Sequence, residues 1–275
     1  MRRFAFGAVL VAATVVALAF LVVPLAAIFL RVPVGKLVGE LGSGVFRDAL
    51  LVSLKTSLIA HGLVLLVGTP TAYLLARRHF RGRAFVLTVL ELPLVLPPAV
   101  AGIALLAAFG RFGLLGGTLD AVGIRIGFTQ AAVVLAVAFV ESPFYLRGAV
   151  AAFESVDVTL LDAARTLGAR PGRVFVRVAL PLAAGGLAAA SALALARGLG
   201  EFGATIIFAG SLQGSTQTLP LAIYAQFEQK LDVALAISAL FVLVGAAILV
   251  ALKVVPRWAR SAFASNTSFT PSASR

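Results

Sequence analysis

Few side chains of this 275-residue sequence stand where they could do chemistry, and the most pointed are two opposite charges. Arg197 and Glu201 lie four apart at the end of an apolar run, among Gly198, Gly200 and Gly203. At that spacing they share one helix face and can pair. Ionisable residues in apolar runs are costly enough to mark functional positions by default. Two readings stay open. The pair snorkels to the outer surface of a membrane, or it has a functional role within the membrane. Glu91 precedes Pro93 by two residues, and its favoured role is to hydrogen-bond a broken helix backbone rather than face a vestibule. Glu141, with Ser142 and Pro143, interrupts another apolar run. His61 and His79 have no second histidine at ligand spacing, so no metal site is expected. Cysteine is absent, which removes disulfides, thiol chemistry and thiolate metal sites. The sequence holds no H-E-x-x-H and no G-x-S-x-G. Gly35-Lys36 is followed by Leu37 and lacks the upstream glycine of a phosphate loop. Neither catalysis nor ATP hydrolysis by this chain itself is expected.

The elements that must position these residues are membrane helices. Hydrophobic residues make up 61% of the chain, charged ones 12%, and the mean hydropathy is +1.06. Soluble domains are about half apolar and about a quarter charged. Apolar runs recur at Phe4–Leu30, Leu50–Ala76, Ala84–Phe109, Phe128–Leu146, Val178–Ala196 and Val233–Leu252. Each is close to the roughly 20 helical residues that cross a bilayer core. Helices satisfy their own backbone in lipid, and the runs are too long for barrel strands. The fold class is therefore all-α, an integral membrane protein with six transmembrane helices. Residues 1–260 form one transmembrane domain, and 261–275 form a Ser-rich tail expected to be disordered. Arg2, Arg3 and the triplet Ala17-Leu18-Ala19 also fit a signal peptide. The run continues to Leu30, however, far beyond an h-region of about 7–15 residues, so a retained first helix is expected.

The net charge of +12 is distributed by loop rather than on one nucleic-acid-binding face. Arg2, Arg3, Arg77, Arg78, Arg81, Arg83, Arg147, Arg165, Arg170, Arg173, Arg177, Lys253, Arg257 and Arg260 fall on one side of a six-span topology. The positive-inside rule makes that side, and both termini, cytoplasmic. The third run carries Pro93, Pro97 and Pro98 and must bend or break, which lipid tolerates only where protein or a water-filled cavity satisfies the freed carbonyls. The segment 198–231 reads as polar, irregular and external.

The cytoplasmic connection between the fourth and fifth spans is the most informative segment. Thr159 and Asp162 have capping-box spacing. Leu160, Ala163, Ala164 and Leu167 repeat at helical spacing as one apolar strip. Gly168 stands where a helix end wants a left-handed residue, and Pro171 confirms the stop. The result is a two- to three-turn helix that either rests on the bilayer or docks as a knob in a groove of another protein.

Asp162-Ala163-Ala164, then Gly168, then Val178, Leu180 and Pro181 resemble the E-A-A-x-x-x-G-x9-I-x-L-P motif of binding-protein-dependent ABC importer permeases. The spacing matches throughout, with Asp for Glu and Val for Ile. Leu92–Phe109 resembles the third helix of molybdate and sulfate permeases, and Ala196–Gly210 and Thr216–Tyr224 are most similar to the molybdate and tungstate branch, with sulfate permeases keeping a related pattern. The resemblance implies that Asp162, Ala163, Ala164 and Gly168, with Thr159, Leu160 and Leu167 on the same helix, form a coupling helix that seats in an ATPase subunit. It also implies a second copy of the chain, two ATP-binding subunits that carry ATP and Mg, an extracytoplasmic solute-binding protein, and a place in a prokaryotic inner membrane. Arg197, Glu201, Pro97 and Pro98 are the expected pathway residues. An ion-coupled secondary transporter is the alternative from another class, but it leaves the motif unexplained.

Overall fold

The computed structural model describes the backbone of residues 2–264 and the side chains of 6–250. The described residues form thirteen α-helices: α1 (Arg2–Arg31), α2 (Val34–Leu41), α3 (Gly44–Arg77), α4 (Arg83–Val95), α5 (Pro98–Phe109), α6 (Gly116–Ala121), α7 (Gln130–Glu154), α8 (Val158–Thr166), α9 (Pro171–Val174), α10 (Leu180–Leu199), α11 (Gly203–Ala209), α12 (Leu219–Phe227) and α13 (Leu231–Ala264). A π-helical turn, Phe175–Ala179, joins α9 to α10 into one 29-residue span. Helix α13 continues four residues past the expected boundary at 260; residues 265–275 of the expected tail lie outside the described residues.

Five helices are long and apolar enough to cross a membrane. The sixth expected span is a broken pair, α4 and α5, bent by 115°. Its cause is local. Leu96 and Pro97 are extended, with ψ of 129° and 138°, and Pro98 opens α5 where its missing N–H costs nothing. Pro93 leaves no such break and stays inside α4. Two other boundaries differ from expectation. Helix α7 runs on to Glu154, so Arg147 lies within a span and not in the following connection. The segment 198–231 is folded rather than irregular. It contains α11, packed on α5 and α7, and α12, packed on α13 and α3. Thr216, Gln217, Thr218, Leu219 and Leu221 are buried. The buried Ser53 hydroxyl accepts the Leu219 N–H at 2.7 Å and so holds the start of α12. The polar Thr and Gln residues that suggest an external loop are buried in the interior instead.

Helices α3, α7 and α10 form the centre, around Val64, Tyr145, Ala149, Phe153, Ala179 and Ala194. A second cluster joins α7 to α5 and α11 through Val133, Val137, Leu105 and Phe208. Lipid supplies no hydrophobic drive between helices, so close backbone approach and van der Waals contact must hold them. At the α7–α10 contact a Cβ on Gly148 would sit 2.6 Å from the Ala190 Cβ. Gly148→Val therefore forces the two spans apart and is expected to cost about 1–3 kcal/mol. A fall in the thermal midpoint of the purified protein, with Gly62→Val unchanged because open space surrounds Gly62, checks this.

Candidate functional site

Helix α8 is seated from both ends. Asp157 is its N-cap, with its carboxylate accepting the Thr159 N–H at 2.9 Å. This corrects the capping-box expectation. Thr159 is the second helical residue and not the cap, and Asp162 pairs with Arg165 at 2.8 Å instead of reaching back. Aspartate caps as well as threonine does, and starting two residues earlier brings Leu161 round to the bundle, where it is almost wholly buried. At the other end Gly168 has φ of +81°, and the Ala169 N–H bonds back to the Ala164 carbonyl at 3.1 Å. That six-to-one bond is the glycine stop expected of this position. Pro171 then opens α9.

The apolar strip divides into two faces. Leu161 and Ala164 pack against the central cluster. Leu160, Ala163 and Leu167 face outward, with Leu167 88% exposed. Leu161, absent from the expected strip, is thus the anchor, and Ala164 belongs with it rather than with the docking face. Arg77 tightens the mount by donating to the Phe153 and Val156 carbonyls at 2.6 and 2.8 Å. Arg83 donates to the Leu75 carbonyl at 2.7 Å and to Glu154 at 2.5 Å. These arginines read from sequence only as positive charge; the carbonyl partners of Arg77 lie 76 and 79 residues along the chain, too far to signal the contact.

The Thr159 backbone N–H, and after it the Thr159 side chain, hold the Asp157 carboxyl below its ordinary range. A depressed folded-state pKa means that the cap is fully present at neutral pH and is lost only as pH falls through that lowered value. Asp157→Ala is expected to fray the first turn of α8 at neutral pH, while Asp157→Asn keeps the cap. Amide hydrogen exchange over the first turn of α8 in the two variants checks this.

At the far end of the span Pro171–Leu199, roughly 43 Å away at about 1.5 Å per residue, Arg197 meets Glu201 at 2.8 Å. Glu201 is buried and also accepts the Ala204 N–H at 2.8 Å, which caps α11. Gly203 at the start of α11 packs on Pro98, where an added Cβ would stand 2.6 Å from the proline Cβ. The structure thus brings Glu201 and Pro98 to one place, the joint between α5 and α11, with Pro97 and Pro98 exposed beside it. The other polar candidates fall elsewhere. Glu91 makes no bond to the broken backbone; it is half-buried and lies 3.9 Å from the exposed Arg147 on α7. His79 is exposed, whereas His61 is buried.

The model of the family described as "binding-protein-dependent transport system inner membrane component" matches residues 68–264. The chain belongs to this family. It is a transport component, the membrane-spanning subunit of an ABC-type importer. The molybdenum transport system permease protein of Mycobacterium tuberculosis is 47% identical over 227 residues, covering 82% of this chain and 86% of that protein. The sulfate transport system permease protein of Synechococcus elongatus is 36% identical over 190 residues, covering 69% and 66%. In structure, the crystal structure of a bacterial ABC transporter involved in alginate import aligns with a TM-score of 0.70 at 21% identity, over 93% of this chain and 96% of that one. That likeness establishes the fold.

One constellation of the permease escaped the sequence. The Nδ1–H of His61 donates to Oε1 of Glu141, and the His61 Nε2 meets the Ser191 hydroxyl at 2.8 Å. The three residues come from α3, α7 and α10, and Glu141 is fully buried. Separations of 80 and 130 residues left no local signal. The hydrogen bonds run in the order of a hydrolase relay. Ser191, however, lies in mid-helix, where backbone N–H groups are committed to their own turns, so no oxyanion donors are at hand.

Proposed function

We propose that this chain is the permease through which an ABC importer moves an oxyanion, molybdate or tungstate, into the cytoplasm. The observation that carries this reading is α8, a short helix capped at both ends, bolted to the bundle by Leu161, and offering Leu160, Ala163 and Leu167 outward. A rigid helix with a small apolar face suits a groove in an ATPase subunit. Two copies of the chain enclose the pathway in this reading, since one copy offers few polar positions to line it. Two ATP-binding subunits sit beneath and hold ATP and Mg, a solute-binding protein docks outside, and both termini are cytoplasmic in a prokaryotic inner membrane. ATP binding draws the two α8 helices together, and the spans they are mounted on exchange an inward opening for an outward one.

Thr159, Leu160, Asp162, Ala163, Ala164, Leu167 and Gly168 form the coupling element, the inward Ala164 acting through its packing. Arg197, Glu201, Pro97 and Pro98 form the pathway element at the joint of α5 and α11. Arg197 attracts the anion, and Glu201 prevents tight trapping. Molybdate is preferred over sulfate because the molybdenum permease is the nearer relative, at 47% against 36% identity. Uptake of labelled molybdate by the complete reconstituted transporter tests the substrate class. Tungstate is expected to compete at equal concentration and sulfate only in large excess. Equal competition by sulfate would make the chain a sulfate or thiosulfate permease.

A further inference from the structure

His61, Glu141 and Ser191 have no part in the reading so far, yet they place a buried histidine and a fully buried carboxylate inside the bundle. His61 lies near the middle of α3 and Glu141 near the middle of α7, so the cluster sits at mid-span. Ionisable groups at that depth are rare. A pair of well-packed apolar residues would join helices at least as firmly as a buried ion pair. What hydrogen bonds add is direction. They fix the rotation and depth of one helix against another, which packing of small side chains does not.

The cluster grips α10 at two points on one face. Ser191 meets His61 at 2.8 Å. Gly198, two turns on, lies against the second carboxylate oxygen of Glu141, so close that a Cβ there would stand 2.6 Å from it. Glu141 therefore touches α3 through His61 and the end of α10 through Gly198. The residue before Gly198 is Arg197, paired with Glu201 at 2.8 Å, and Glu201 caps α11. A rotation of α10 that moved Gly198 off Glu141 would carry Arg197 with it and drag on the first turn of α11.

We propose that His61, Glu141 and Ser191 form a mid-membrane clamp that sets the depth and rotation of the end of α10 and thereby places Arg197 in the pathway. They are positioning residues for coupled transport, not contacts of the cargo. The inference rests on the reading of Arg197 as a pathway residue. It also makes α3, α7 and α10 a single rigid unit during the cycle, leaving the α4–α5 joint as the place that can yield.

The test separates positioning from mere stability. In the complete reconstituted transporter, His61→Leu leaves a buried carboxylate without its partner, and the folded yield falls. The double variant His61→Leu with Glu141→Met removes both polar groups and restores a packed interior, so its yield and thermal midpoint return. The clamp predicts that this well-folded double variant still hydrolyses ATP but spends several-fold more of it per anion imported than wild type. A wild-type ratio of ATP to anion in the double variant would overturn the clamp. Arg197→Leu is measured alongside. Impaired import there, with a wild-type ratio in the double variant, defeats the clamp alone. Normal import by Arg197→Leu defeats the pathway reading and the clamp with it.

Discussion

Ala163→Asp is expected to leave a folded permease that no longer holds its ATPase. Ala163 is exposed on the outward face of α8 and makes no contribution to the packed interior, so the bundle has no reason to suffer. In the proposed assembly the same position enters a groove of the ATPase, and a carboxylate there would lose its water without gaining a partner. A cost of about 3 kcal/mol corresponds to roughly a hundredfold loss of affinity. Gly168→Trp acts by a second route. Open space surrounds Gly168, but its φ of +81° strains any other residue, by about 1–2 kcal/mol, and the indole then adds bulk beside the docking face. Ala164→Asp is the informative contrast. Ala164 packs inward with Leu161, so that variant is expected to lower folded yield as well as ATPase retention. Co-purification with the ATPase, alongside size-exclusion of the permease alone, reads all three. Retention of the ATPase by Ala163→Asp would remove α8 from the interface.

The second large effect is at Arg197. Replacing it with Leu leaves the Glu201 carboxylate, 1% exposed, without its counter-charge. Breaking a buried pair from one side costs about 3–5 kcal/mol, and the partial access of Arg197 to water places the loss at the lower end. Import is expected to fall more than tenfold per folded transporter. The double variant Arg197→Leu with Glu201→Gln separates the causes. Glutamine keeps an oxygen for the Ala204 N–H, so the α11 cap survives and the yield recovers. Import stays low, because the cation that draws the anion is gone. Recovery of import together with yield would make the pair a structural strut only.

How much of this was legible follows from the range of each cause. Hydropathy is a property of runs, and the positions of the five continuous spans could be read directly. The break in the third run was equally local, because the Pro97-Pro98 pair pushes Leu96 and Pro97 out of helical conformation and lets a helix start only at Pro98. Gly168 was readable for the same reason. The start of α8 was not, since Asp157 and Thr159 are both good caps, and the choice is made by burial of Leu161 against helices more than a turn of sequence away. Segment 198–231 misled because Thr216, Gln217 and Thr218 are polar yet buried, where Ser53 and neighbouring groups meet the chain. Arg147 looked like a loop residue because a charge ended the apolar run, although α7 continues for seven more residues. Glu141 had no account in sequence at all. Its partner is 80 residues away, and only packing of α3 on α7 introduces them.

This permease is expected to transport only when an ATPase drives it. Proteoliposomes holding the permease, its ATPase and the solute-binding protein are therefore loaded with ATP, and labelled molybdate uptake is followed while ionophores collapse every ion gradient. Uptake that needs ATP and the binding protein, survives the ionophores and disappears with Ala163→Asp is the predicted result. Uptake by the permease alone, driven by a gradient and indifferent to ATP, would contradict the account and make the chain a secondary transporter.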